Sequence, residues 1–208
     1  MAAGASITSL SSPETALRRI VSDLRDLGRR FALVGGLAVS ARTEPRLTRD
    51  ADLVVLVASD SDAETLVRGL QEREWRVIAA IEQEVAERLA TVRLVGTEGD
   101  VRGPVIDLLF ASSGIEPEIV AAADPVDVVP GFAVPIARIG HLIALKVLAR
   151  GDRTRPQDRV DLAALLSRAD AGALREAREA LALIAERGFH RRRDLLATLD
   201  ATIDEFRA

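Results

Sequence analysis

Residues 47–57 read LTRDADLVVLV, a run of five consecutive Leu and Val residues headed by two aspartates one residue apart. An unbroken apolar run of this kind fits a strand covered on both faces, which demands layers of structure on either side of a sheet. The aspartates sit awkwardly there, because a buried carboxylate is costly unless something pairs with it or coordinates it. Side chains two apart on a strand share a face, so Asp50 and Asp52 are expected to project together. Carboxylates that close push one another toward the protonated form. A hard divalent cation removes the conflict, and Mg²⁺ commonly takes one or two carboxylates together with substrate phosphates.

The rest of the chain supplies the layers. SSPETALRRIVSDLRDLG reads as a first helix, with Ser11 and Glu14 at capping-box spacing, Pro13 in the first turn and Gly28 at the end. RRFALVGG is a short strand closed by a glycine pair, LAVSAR opens a second helix, and TEPRLTR is a loop around Pro45. SDAETLVRGLQERE is a third helix. WRVIAAI and TVRLVGT are strands on either side of the acidic EQEVAERLA, PVIDLLFAS is a further strand, and DVVPGFAVPIA is an edge strand or connector broken by prolines. From Ile139 onward four helical patterns follow one another, with breaks at Gly151, at Asp170 to Gly172 and at Gly188. The reading is α+β, a mixed sheet flanked by helices and followed by a C-terminal helical bundle, divided into residues 1–136 and 137–208.

Composition removes several classes of chemistry. There are no cysteines, and the two histidines, His141 and His190, lie far apart, so thiolate chemistry and the usual zinc sites are excluded. A net charge of -4 gives no general basic coat, and 3% aromatic residues with no Tyr leave little for stacking single-stranded nucleic acid. The N-terminal MAAGASITSLSSPE lacks the pattern of a signal peptide, and no apolar run approaches the ~18 residues that span a bilayer. A cytoplasmic protein with no membrane association is expected.

Asp107 stands alone in VIDLLF, with Ile106 and Leu108 facing the other side of that strand. A third carboxylate from a neighbouring strand would complete the set that two-metal phosphoryl or nucleotidyl transfer uses, ligands plus a group that helps activate the attacking hydroxyl. Gly35 and Gly36 have the complementary character: glycines at a strand-to-helix turn admit a phosphate close to the backbone, where the helix start offers free N–H groups.

VGGLAVSARTEPRLTRDADLVV with the later VIDLLF resembles the nucleotidyltransferase superfamily of the polymerase-β type, marked by a Gly-Gly or Gly-Ser turn, then Asp-x-Asp, then a third Asp on a following strand. Within it, GGLAV, RLTRDADLVV and LIALKVLA with RPQDRVDLAALL are similar to the AbiEii-type nucleotidyltransferases, several of which are toxins of toxin–antitoxin pairs. The resemblance covers about Phe31 to Leu166 and implies transfer of a nucleoside monophosphate from an NTP to an acceptor hydroxyl, with RNA or tRNA the favoured acceptor. It also implies two Mg²⁺ ions, for which Mn²⁺ can substitute, and a cognate antitoxin. By the same resemblance Asp50, Asp52 and Asp107 bind metal, and Gly35 and Gly36 hold the triphosphate. Lys146 contacts it too, and Asp161 matches the downstream acidic position, with Asp158 and Arg155 beside it. Relatives often carry Ser or Thr after the glycines, where this chain has Leu37; Ser40 is the substitute from the next turn.

Blander readings exist for each residue. Asp50 can be a loop acid paired with Arg46 or Arg49, and Asp107 a surface acid. Lys146 can snorkel from an apolar helix, Asp158 and Asp161 can be ordinary helical acids, and His141 reads as a packing residue. HRRRD, His190 to Asp194, reads as a solvated helix start, with RNA phosphate contact as the other reading. Two other functions stay open: a catalytically silent binding or regulatory module of this fold, and a small-molecule nucleotidyltransferase of the aminoglycoside-modifying kind.

Overall fold

The computed structural model describes residues 13–44, 48, 50–83, 88–96, 104–150 and 156–207. The α/β part runs α1 (Pro13–Asp26), β1 (Phe31–Val34), α2 (Gly35–Arg42), β2 (Ala51–Val55), α3 (Asp60–Gln71), β3 (Trp75–Gln83), β4 (Arg88–Gly96), β5 (Val105–Leu109), α4 (Glu116–Ala122), β6 (Asp124–Val129) and β7 (Phe132–Ile136). Four helices follow: α5 (Ile139–Ala149), α6 (Pro156–Arg168), α7 (Ala171–Glu186) and α8 (Leu195–Arg207). The strands form one mixed sheet in the order β3-β4-β5-β2-β1-β7-β6. β2 pairs antiparallel with β1 and parallel with β5, and β1 pairs parallel with β7.

The apolar run explains the middle of this sheet. Leu53, Val54 and Val55 are almost wholly buried, and β2 has a strand on each side as well as cover on both faces. Each such side chain contributes about 1.5–3 kcal/mol of hydrophobic stabilisation. α1 turns Leu17, Ile20, Val21 and Leu24 inward, the i, i+3, i+4, i+7 spacing of a helix lying on a sheet. α3 is capped by Ser59, whose hydroxyl accepts from the Asp62 N–H at 3.2 Å. One buried cluster continues from Leu53 and Ile106 in the sheet to Leu142 and Ile143 of α5, Leu165 of α6 and Leu181 of α7. The C-terminal helices therefore share the sheet's core.

α5 sets the position of much of the site, and its C-terminal end is capped from a distance. Arg193 donates to the carbonyls of Val147 (3.1 Å) and Arg150 (2.8 Å), and also to that of Leu148. Cations at this end satisfy open carbonyls and oppose the helix dipole.

Three local expectations need correcting. EQEVAERLA does not separate two independent strands: β3 continues to Gln83 and β4 resumes at Arg88, an antiparallel pair in which alternation wins over the acidic composition. DVVPGFAVPIA forms two strands joined at Pro130-Gly131, with Gly131 at φ 74°. Pro125 on β6 and Pro130 at its end are tolerated because β6 is an edge strand, and Pro135 on β7 lies opposite Pro125. α4 was not expected, being only seven residues long with a proline in its first turn. Ser11, Arg46, Arg49, Gly151 and Arg155 lie outside the described residues.

Candidate active site

Sheet register lines up four residues across neighbouring strands. Val34 at the end of β1 faces Asp52 on β2, Asp52 faces Asp107 on β5, and Asp107 faces Arg93 on β4. Beyond Val34 the chain enters α2 at once, so Gly35 and Gly36 are the first residues of the helix. Gly35 has φ 65°, a conformation that side chains other than glycine rarely adopt. A Cβ placed on it would lie 1.8 Å from Asp52 Oδ2. The glycine is thus needed twice, for its backbone and for the space the carboxylate fills.

Asp50 and Asp52 are not equivalent. β2 begins at Ala51, which leaves Asp50 in the approach to the strand, exposed, while Asp52 is half-buried. Burial pushes the Asp52 carboxyl up to about 6, with the Asp107 carboxylate adding to the rise, Lys146 opposing it and Asp50 adding again. Asp107 is buried and held in a fork: Arg93 Nε donates to Oδ1 at 2.8 Å and Nη2 to Oδ2 at 2.7 Å. Among the described residues no three acidic or histidine side chains are gathered as a ready cage for a cation.

The donor set nevertheless suits Mg²⁺. It consists of carboxylate oxygens alone, Asp52 carries a desolvated charge that no neighbouring cation fully balances, and Mg²⁺ ordinarily completes its shell with water and substrate phosphate rather than with a protein cage.

Asp52 and Asp107 line a cavity of about 400 Å³, and Asp50 is not part of its wall. Gly35, Gly36, Asp52, Asp107 and Arg93 stand on its sheet side, Lys146 and Asp158 on its helical side, and Ser112, Ser113 and Arg191 at other points of the wall. Lys146 Nζ is 2.7 Å from both Asp158 Oδ1 and Asp161 Oδ2, a buried cluster joining α5 to α6. The snorkelling alternative for Lys146 is therefore replaced by an ion cluster. Asp161 is 1% exposed and also accepts from Gln157 Nε2 at 3.2 Å; it is not part of the cavity wall and acts by holding Lys146. Asp161→Asn is expected to lower stability by about 1–2 kcal/mol in urea unfolding, since a charge-assisted bond becomes a neutral one while the shape is kept.

Ser40 is not brought to the site. Its hydroxyl donates to the Gly36 carbonyl at 3.1 Å within α2, and the residue is buried. Leu37 packs against the core. Ser40→Ala should accordingly leave nucleotide affinity within a factor of about two in a titration, the loss of one local back-bond in a helix. His141 is buried on α5 and does not line the cavity, and burial lowers its pKa.

Sequence reasoning missed Arg93, Ser112 and Ser113. A single arginine amid VRLVG was the only signal for the first. The serines belong to a loop fixed by Glu116, whose Oε1 accepts from the Ser112 and Ser113 amides at 2.7 Å each and from both hydroxyls. The HRRRD segment contributes Arg191 to the cavity wall, with Arg191 and Arg192 at φ 52° and 57°. Non-glycine residues in that region cost about 1–3 kcal/mol each and are enriched at functional sites.

No helix among the described residues is long and apolar enough to cross a membrane. No curated protein matches the chain. Among solved structures, an antigenic nucleotidyltransferase-like protein from Paracoccidioides brasiliensis is similar at 18% identity and a TM-score of 0.53, over 91% of this chain and 93% of that one. The lincomycin-bound lincosamide antibiotic adenylyltransferase LnuA aligns at 12% identity and a TM-score of 0.48, over 75% of this chain and 98% of that one. The first of these likenesses supports the nucleotidyltransferase-type fold. The family described as nucleotidyl transferase AbiEii toxin, type IV toxin–antitoxin system, matches residues 16–207. With nearly the whole chain inside that match, the protein belongs to the AbiEii nucleotidyl transferase family and is a nucleotidyltransferase.

Proposed function

We propose that the protein is a Mg²⁺-dependent enzyme that transfers a nucleoside monophosphate from an NTP to a hydroxyl of RNA, the end of a tRNA being the favoured acceptor, and that it acts in the cytoplasm as the toxin of a toxin–antitoxin pair. The observation that carries this reading is the meeting of Gly35 with Asp52 at the cavity wall, beside Asp107. A phosphate-admitting backbone, the desolvated Asp52 carboxylate and the Arg93-paired Asp107 lie within one small space. Asp50 and Asp52 would hold the cation, with Asp107 as the third carboxylate; when bound, it supplies positive charge to the phosphate oxygens and the leaving group.

The chain's own groups account for the rest. Gly35 and Gly36 let the triphosphate approach the start of α2, where backbone N–H groups are open. The acceptor oxygen bonds to the α-phosphorus, the bond to the bridging oxygen breaks, and pyrophosphate leaves. Asp107 takes the hydroxyl proton. Lys146, held by Asp158 and Asp161, brings fixed positive charge to the side of the cavity opposite the sheet. Arg191 offers a phosphate contact of the kind that positions a nucleic-acid backbone without reading its sequence.

The test is incubation of the protein with each α-labelled NTP and either total RNA or an aminoglycoside, with Mg²⁺ or with chelator, beside a calorimetric titration with each NTP. Label entering small RNA only in the presence of Mg²⁺ is the expected result. Label entering an aminoglycoside instead would move the acceptor to small molecules. No Mg²⁺-dependent transfer or binding of any NTP would favour the silent module.

A further inference from the structure

Each Asp107 oxygen accepts one hydrogen bond from Arg93, and the guanidinium neutralises the carboxylate, so a proton or a cation must compete with that pair for it. Arg93 grips both oxygens in the bidentate geometry that gives strong, oriented carboxylate–guanidinium pairs. The two partners differ in exposure. The Asp107 side chain is 11% exposed and the Arg93 side chain 47%, so the arginine is the member with open space to turn into. The pair uses Arg93 Nε and Nη2 alone, and the same side chain lines the cavity next to Asp52 and Gly35. The charges of Asp107, Asp50 and Asp52 all stabilise the guanidinium, so its pull toward this acidic corner is strong in the empty site.

The geometry points to Arg93 as a guard of Asp107. It withholds the carboxylate from cations and protons while the cavity is empty, and moves to the phosphates of an incoming nucleotide, which frees Asp107. A phosphate group offers the same bidentate acceptor geometry as the carboxylate with more negative charge. The exchange therefore costs little: one forked ion pair is replaced by another, and the carboxylate it uncovers meets the cation that arrives with the nucleotide. The device couples substrate binding to completion of the site, and it keeps two adjacent carboxylates from facing each other unneutralised in the resting protein. This inference rests on the Mg²⁺-dependent reading above.

The test uses the full chain and Mn²⁺, followed by electron paramagnetic resonance, with NTP affinity measured separately without metal. Arg93→Gln keeps length and hydrogen-bonding capacity but removes the charge. It should bind Mn²⁺ about tenfold more tightly than the natural protein when no nucleotide is present, because the carboxylate is no longer held by a charge-assisted pair. The same variant should bind NTP about tenfold more weakly, having lost a phosphate contact. Arg93→Lys, which keeps the charge and loses the fork, should fall between the two in both measurements.

Because Arg93→Lys keeps the charge, a gain in Mn²⁺ affinity together with a loss of NTP affinity in that variant too is what the removal of a positive charge alone would not give. Unchanged Mn²⁺ affinity in a variant with a normal thermal transition overturns the inference, and so does unchanged NTP affinity. The outcome also separates this inference from the function it rests on. Tighter Mn²⁺ and weaker NTP binding without any transfer to RNA would keep the guard and remove the RNA acceptor. Normal Mg²⁺-dependent transfer with both affinities unmoved would keep the function and remove the guard.

Discussion

Gly35→Ala is expected to lower transfer by about 100-fold, on the scale of displaced catalytic groups, and to lower stability by about 2–4 kcal/mol. Two costs combine. The φ of 65° is strained for any residue with a side chain, and the new Cβ would fall 1.8 Å from Asp52 Oδ2. Relief draws on the strand backbone and on the Asp52 side chain, and both belong to the site. Turning the carboxylate relieves the contacts with Oδ2 and Cγ but leaves Asp52 Cβ at 2.9 Å, so the carboxylate is displaced and the backbone of β1 or β2 must shift as well. Activity and stability should therefore fall together. Urea unfolding and incorporation of labelled nucleotide, run on the same preparation, measure both.

Asp52→Asn should give the larger catalytic effect, a loss of at least about 10³-fold, because it removes a charge placed against the reacting phosphates. Its effect on stability runs the other way. The Asp52 carboxyl has a pKa near 6 in the folded protein against 3.8 for an ordinary aspartate, raised first by burial and then by Asp107. A carboxyl whose pKa is raised by folding favours the fold when protonated, so its contribution is greatest below 3.8 and is lost as pH rises through about 6. At pH 8 the natural, metal-free protein bears that cost in full. The asparagine variant should be more stable there by about 1–3 kcal/mol, with a flatter dependence between pH 4 and 7, the order of magnitude set by about two pKa units. Added Mg²⁺ should stabilise the natural protein and leave the variant nearly unchanged. Denaturant melts at pH 5 and pH 8, with and without the cation, read out all of this.

What the sequence disclosed was whatever depends on local pattern. The apolar run after Asp52 specifies a central strand, Leu53 to Val55, because an unbroken run of this kind needs cover on both faces. The four C-terminal helices follow from spacing and from breaks at glycine and aspartate, and Asp170 caps α7 by accepting from the Ala173 amide at 2.7 Å. Asp52 and Asp107 could be marked because a lone acid in an apolar strand is costly wherever the strand lies. What stayed hidden depends on pairing between distant segments. Arg93 looks like an ordinary solvent-facing position of β4 until the β4–β5 register sets it opposite Asp107. Lys146 and its two aspartates lie 12 and 15 residues apart, and only the packing of α6 on α5 turns three unrelated charges into a cluster. Ser40 illustrates the reverse error. A hydroxyl one turn past the glycines looked available for phosphate, but a helix offers a serine its own carbonyl four residues back, and Ser40 takes it.

The central claim is that the Asp52 carboxylate, seated against Gly35 and beside Asp107, carries Mg²⁺-dependent nucleotidyl transfer. Its most direct measurement is transfer from α-labelled NTPs to total RNA by the natural protein and by folded Asp52→Asn, assayed side by side with Mg²⁺. The account predicts labelled RNA with the first and at least about a 10³-fold loss with the second, despite the variant's higher stability at pH 8. Labelling by folded Asp52→Asn at the natural rate would contradict it.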